Sequence, residues 1–179
     1  MGVPFKTLLE LAGGLRQGRK LKAVVPGGSS MKILPAEAII DLDMDYESLQ
    51  KAGSSLGTGA VTVIDDSTCM VQTLLRVSEF YMDESCGQCT PCREGTGWMT
   101  RLLERLAHGE GQPGDLEKLV KIANNIEGRT ICALGDAAAW PVQSYLQHFY
   151  HEFEQHLDGG CHGPHCVAHQ HADSSYVEK

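Results

Sequence analysis

Three cysteines at two-residue intervals, Cys86-Gly-Gln-Cys89-Thr-Pro-Cys92, put three thiols on one short loop. Gly87 and Pro91 supply the tight backbone curvature that lets such a loop wrap one inorganic centre. A chain built this way needs a fourth ligand and a scaffold that brings it back. Cys132, in Gly128-Arg-Thr-Ile-Cys-Ala-Leu-Gly135, is the best candidate, lying between the end of one helical pattern and the start of the next. Triples of this kind recur in iron–sulfur proteins, with the fourth cysteine close by or supplied from elsewhere. The spacing therefore points to a [4Fe–4S] cluster on Cys86, Cys89, Cys92 and Cys132. Zinc is the main alternative, because four thiolates also close a tetrahedral site, although structural zinc usually takes two separated pairs. A three-iron cluster or a shared ligand stays open if Cys132 lies elsewhere. Unliganded buried cysteines fit poorly with the polar neighbours Ser85, Gln88 and Thr90.

The chemistry follows from the ligand count. With cysteine on every iron no position is left for a substrate, so the expected role is electron passage without catalytic residues of its own. A cluster with four thiolates is anionic. Arg93, the helix start near Pro91 and nearby backbone N–H groups would stabilise its reduced form and raise its potential, whereas burial between the module and the bundle would lower it.

Composition removes several other classes. The formal charge of −8 argues against a nucleic-acid partner, which needs a basic field. Residues 1–32 nevertheless hold six Lys or Arg against one acid, and residues 33–50 hold five acids and no base. No run of eighteen apolar residues occurs, so no membrane insertion is expected. The N-terminus lacks signal-peptide features, and Lys6 breaks the myristoylation pattern, so the expected address is cytoplasmic. Seven cysteines in that reducing compartment point to metal or redox work rather than disulfides.

Patterning predicts an α+β chain in three parts. Residues 1–66 read as a small mixed module: a helix over 4–12, strands over 21–25, 38–42 and 59–64, and a helical turn over 46–52. Residues 67–157 read as four amphipathic helices on short links, an antiparallel bundle. Ser67 or Thr68 is expected to cap the first and Pro91 to open the second. Asp115 is expected to cap the third, and Pro141 to restart the last. Residues 158–179, rich in Gly, Cys and His, read as a flexible tail.

At the cysteine segments the match to a known family becomes specific. Residues ESCGQCTPCREGTGW and EGRTICALGDAAAWPVQ closely resemble the flavoprotein subunit of respiratory NADH:quinone oxidoreductase, complex I. The resemblance extends upstream through GGLRQGRKLKAVVPGGSSMKILP and LGTGAVTVIDDSTCMV, covering about residues 2 to 157. NAD-reducing hydrogenases and formate dehydrogenases use similar modules. The resemblance implies a ubiquitin-like β-grasp, soluble-ligand-binding domain followed by a four-helix cluster-binding domain, with Cys86, Cys89, Cys92 and Cys132 matching the cluster ligands one for one. It further implies an oxidoreductase in which NADH gives hydride to FMN and electrons leave singly through this cluster toward quinone. The implied partners are the other iron–sulfur subunits of the peripheral arm, including a thioredoxin-like [2Fe–2S] subunit, at the cytoplasmic side of the inner membrane. The family's N-terminal FMN- and NADH-binding domain has no counterpart here. The expectation is thus a truncated or partial chain, with that half supplied separately or lost.

Other motifs weigh less. Gly109-Glu-Gly111-Gln-Pro-Gly114 spells a dinucleotide fingerprint but follows a helix and contains proline, so an interhelical loop is expected. Gly13 to Arg19 lacks the lysine and hydroxyl of a P-loop. Pro26-Gly-Gly-Ser-Ser30 reads as a glycine-shaped turn, and Asp41, Asp43 and Asp45 as a solvated acidic face rather than a calcium loop. Cys69 is expected to pack as a buried residue, and Trp98 and Trp140, beside the cysteine segments, are expected to be packing residues. Cys161, His165, Cys166, His169 and His171 offer ligands for zinc or nickel, though without a packed scaffold adventitious binding is the expectation.

Overall fold

The first residues after the N-terminus form a short helix whose orphan N–H groups are met by a distant part of the chain. The computed structural model describes residues 2–157 and 159. Helix α1 (Phe5–Leu11) has its Phe5 and Lys6 amides bonded to the carbonyls of Leu42 and Ile40 at 2.9 and 3.1 Å. Those carbonyls take the place of a side-chain cap. The chain then enters β1 (Leu21–Val25) and β2 (Leu34–Pro35), and later β3 (Thr62–Asp65). β1 lies between the other two strands and is antiparallel to both, with Val24 opposite Leu34 and Val63. Between β2 and β3 run α2 (Ala36–Ile39) and α3 (Tyr46–Lys51). Asp45 caps α3 by accepting the Ser48 amide at 2.7 Å. Phe5, Val24, Leu34, Ile39, Met44 and Leu49 make the core of this first unit.

The strand expected over 38–42 is not formed. Pro35 cannot donate to a sheet ladder and sits at the extended N-cap of α2, with Glu37 in the first turn where helix N-termini favour acids. The apolar run therefore starts as a helical turn. Its later residues face α1 through their carbonyls instead of joining the sheet.

The Pro26-Gly-Gly turn is shaped by close backbone approach. A side chain at Gly27 would meet the Ser55 and Leu56 carbonyls at 2.5 Å, and the Gly27 carbonyl itself accepts from the Thr58 amide at 3.0 Å.

Two compact units divide the chain between Asp66 and Ser67. The second unit is helical: α4 (Met70–Asp83), α5 (Thr90–Ala107), α6 (Asp115–Ile126) and α7 (Leu134–Leu157). Each of α5 and α7 packs on all three of the others. The apolar stripes read from the sequence supply the core: Val71, Leu74, Leu75 and Tyr81 of α4, Met99, Leu103 and Leu106 of α5, and Leu116, Leu119, Ala123 and Ile126 of α6 are all buried. No described helix is long and apolar enough to cross a membrane.

The caps differ from expectation. Cys69 rather than Ser67 or Thr68 is the N-cap of α4, and Glu152 of α7 accepts the Met70 amide at 3.3 Å. α7 begins at Leu134 and runs through Pro141. Its departure from helical geometry comes at Phe149, whose φ and ψ are −125° and 23°. Gly114, in the left-handed region at φ 87°, caps α6, leaving Asp115 as its first residue.

Asp115 is nevertheless the anchor of that turn. Its carboxylate is fully buried and accepts from Arg105, from Lys118 at 3.0 Å and from the Gln112 amide at 3.0 Å. Burial pushes its pKa up, but the Gln112 amide, Lys118 and Arg105 outweigh burial and hold the carboxyl below the usual range. A depressed folded pKa contributes stability that is complete above the unfolded value of about 3.9 and is lost as pH falls through the folded one. Urea titrations of the whole chain should therefore show the Asp115→Ala variant weaker by about 2 kcal/mol at pH 7, with the gap closing below about pH 4. Equal stability at pH 7 would refute the anchoring role.

Candidate metal centre

Four of the five described cysteines flank the starts of two helices, and none of the five is in a disulfide. Cys89 is the N-cap of α5 and Cys92 lies in its first turn, with Pro91 between them where its missing N–H does no harm. Cys86 sits in the loop between α4 and α5, and Cys132 two residues ahead of α7. Cys92 is buried, Cys89 half-buried, and Cys86 and Cys132 are exposed.

The loop between α4 and α5 is fastened at several points. Gly87 takes the left-handed φ of 76° that its curvature needs, and Arg93 Nη1 donates to the Gly87 carbonyl at 3.1 Å. The other side of the Arg93 guanidinium donates to Glu94 at 2.9 Å, which offsets its charge. Ser85 Oγ lies 3.3 Å from Cys92 Sγ and accepts the Gly87 amide at 3.4 Å.

The segment carrying Cys132 is held from α7 and from its own turn. Asp136 accepts the Gly128 amide at 2.7 Å, and Thr130 Oγ1 donates to the Cys132 carbonyl at 2.9 Å. Trp140 Nε1 donates to Glu127 at 2.7 Å, and Gln143 to the same carboxylate at 2.8 Å. A side chain on Gly135 would run into Thr130, so the turn can lie this close to α7 only over glycine.

The two cysteine segments adjoin. The Ile131 amide donates to Cys89 Sγ at 3.2 Å, across 42 positions of sequence. That bond sets Cys132 one residue from the first loop. Among the described residues, no three His, Cys, Asp or Glu side chains close on a point as the ligands of a single ion do.

The donor set fits an iron–sulfur cluster. It comprises four thiols, two of whose sulfurs already have polar neighbours outside the set, and the amino end of the 18-residue α5, where partial positive charge favours an anionic group. The tail cysteines and histidines, Cys161 to His171, lie outside the described residues. Trp140 packs half-buried, but Trp98 leaves half of its surface exposed. Sequence reasoning missed Glu127, Thr130, Gly135 and Asp136. The one signal available was a glycine inside a helix, which costs about 1 kcal/mol against alanine unless packing demands it.

Comparison with known proteins places this arrangement. Residues 72–156 match the NADH-ubiquinone oxidoreductase-F iron-sulfur binding region. The F subunit of NADH-quinone oxidoreductase from Rickettsia bellii is 52% identical over 159 residues, 88% of this chain and 38% of that protein. Its counterpart in Rickettsia felis is 52% identical over 161 residues, 89% of this chain and 38% of its own length. Over the stretch it shares with them, the chain belongs to the family of these NADH-quinone oxidoreductase F subunits. It spans less than two fifths of the length of these curated relatives. An NAD+-reducing [NiFe]-hydrogenase in its H2-reduced state matches the fold at a TM-score of 0.76 and 29% identity, over 87% of this chain and 26% of that one. The air-oxidised form of such a hydrogenase gives 0.77 and 27%, over 94% and 28%. Both agree with an α+β chain.

The geometry predicts a role for Gly135 that does not involve contact with any thiol. In the Gly135→Ala variant, Thr130 is displaced and the Cys132 carbonyl loses its donor. Iron bound after anaerobic reconstitution should fall at least about twofold, with helicity by circular dichroism unchanged. Full iron content in that variant would show the turn to be irrelevant to metal binding.

Proposed function

We propose that this chain is the electron-relaying part of an NADH-oxidising complex, holding one [4Fe–4S] cluster on Cys86, Cys89, Cys92 and Cys132. The observation that carries the reading is the bond from the Ile131 amide to Cys89 Sγ, which draws the segment of the fourth cysteine onto the loop of the other three. The family model over residues 72–156 supports the cofactor. In this reading the helical unit is a four-helix cluster-binding domain, and residues 1–66 are a β-grasp module.

A cluster of this type, when bound, accepts and releases one electron at a time without changing its ligands. The protein's part is to hold charge and distance constant. The α5 amino end faces an anionic group with partial positive charge, and the clamps on Gly87 and Gly128 keep the two loops from relaxing as that charge changes. Exposure of Cys86 and Cys132 leaves a route for an electron to a neighbouring carrier.

In the larger setting of this proposal, hydride passes from NADH to FMN in a domain supplied separately, and single electrons then run through this cluster to further iron–sulfur subunits and quinone. The thioredoxin-like [2Fe–2S] subunit is among those partners, and the complex would hold this chain peripherally at the cytoplasmic face of the inner membrane.

Anaerobic purification tests the core of this. The expected product is brown, with broad visible absorption and about four irons and four acid-labile sulfides per chain. The Cys132→Ser variant should lose or convert the cluster, with altered spectrum and lower iron. A colourless protein carrying one zinc per chain would instead mark a zinc-stabilised interaction domain that moves no electrons.

A further inference from the structure

We infer that Ser85 is a positioning residue for the cluster, its hydroxyl donating to the Cys92 thiolate and raising the potential at which the centre accepts an electron. The inference rests on the cluster reading above. Ser85 Oγ lies 3.3 Å from Cys92 Sγ, a distance at which either atom could donate in the free thiol. Iron ligation removes that freedom, because a thiolate has no proton to give. The oxygen has a second contact that sets its direction: it accepts the Gly87 amide at 3.4 Å. With that N–H directed onto the oxygen, the hydroxyl proton is the one left for sulfur. The result is a directed chain, Gly87 N–H to Ser85 Oγ–H to Cys92 Sγ, in which each bond polarises the next.

The chain is built into the loop. Gly87 must hold its left-handed φ of 76° for its amide to reach back to Ser85, and Arg93 secures the Gly87 carbonyl from the other side. Cys92 is the buried member of the four cysteines, so water competes least for its sulfur. A proton donor on a ligating sulfur stabilises the more negative, reduced form, and more so where solvent is excluded. The Ile131 amide does the same at Cys89 Sγ. It is a backbone group that only proline would remove, at the cost of altering the turn itself, which makes Ser85 the adjustable one of the pair.

The test compares wild type with Ser85→Ala, Ser85→Thr and Ser85→Val in the anaerobically reconstituted 179-residue chain. Iron and sulfide content are measured first, and then the midpoint potential by redox titration followed by electron paramagnetic resonance. Thr and Val have nearly the same shape and differ in the hydroxyl, so that pair isolates the hydrogen bond from packing. The expected result is a full cluster in each protein, a midpoint close to wild type in Ser85→Thr, and a clearly more negative midpoint in Ser85→Ala and Ser85→Val. Equal midpoints in the Thr and Val variants overturn the inference, as does a wild-type midpoint in Ser85→Ala. Should the Ala variant fail to assemble, the Thr and Val comparison decides. A wild-type protein without iron and sulfide would refute the cluster reading itself and take this inference down with it.

Discussion

Two loops forty residues apart in sequence have to stay together, and a single backbone amide on a sulfur marks where they do. Everything around that contact reads as support for it. Each loop is short, begins or ends at a helix, and is tied to that helix by a side chain: Arg93 of α5 on Gly87, Asp136 of α7 on Gly128. Sites hung between rigid elements hold their geometry better than sites on free loops. The long stripes of Leu, Ile and Val that pack α4 to α7 supply that rigidity, and the buried Asp115 cluster stiffens the turn between α5 and α6.

Much of the fold was legible because period and punctuation agreed. The strand read over Leu21–Val25 occupies those residues, and the inward faces read for α4 and α6 are buried, apart from a half-buried Val120. Failures came where a long-range partner overrode a local signal. Residues 38–42 look like a strand, but the Ile40 and Leu42 carbonyls are taken by α1. Ser67 and Thr68 are better intrinsic caps than Cys69, yet Glu152 from α7 satisfies the first amide of α4 and moves the boundary. Pro141 resembles a helix start, yet α7 begins seven residues earlier.

At the candidate centre the thiols were legible and their surroundings were not. A spacing of two residues is a local property, so Cys86, Cys89 and Cys92 announce themselves. Which side chains reach those sulfurs or brace the returning turn depends on juxtapositions that no local pattern encodes. Glu127 meets Trp140 thirteen positions away, and Gly135 is small because Thr130 lies over it. Arg93 was legible as a cation beside the centre, but its pairing with Glu94, which offsets part of that charge, was not.

Cys69 and His156 join the two ends of the helical unit. The sulfur lies 3.5 Å from Nε2, and the ring's Nδ1 meets the Glu152 carbonyl at 2.7 Å. A carbonyl can only accept, so Nδ1 carries the hydrogen and Nε2 is left to receive the thiol proton. Both groups are buried, and the clasp spans 87 positions. Its effect resembles circularising the segment without a covalent link: opening at the start of α4 and opening at the end of α7 break the same contact. Fraying at helix ends, ordinarily the least costly local opening, must here give up that clasp.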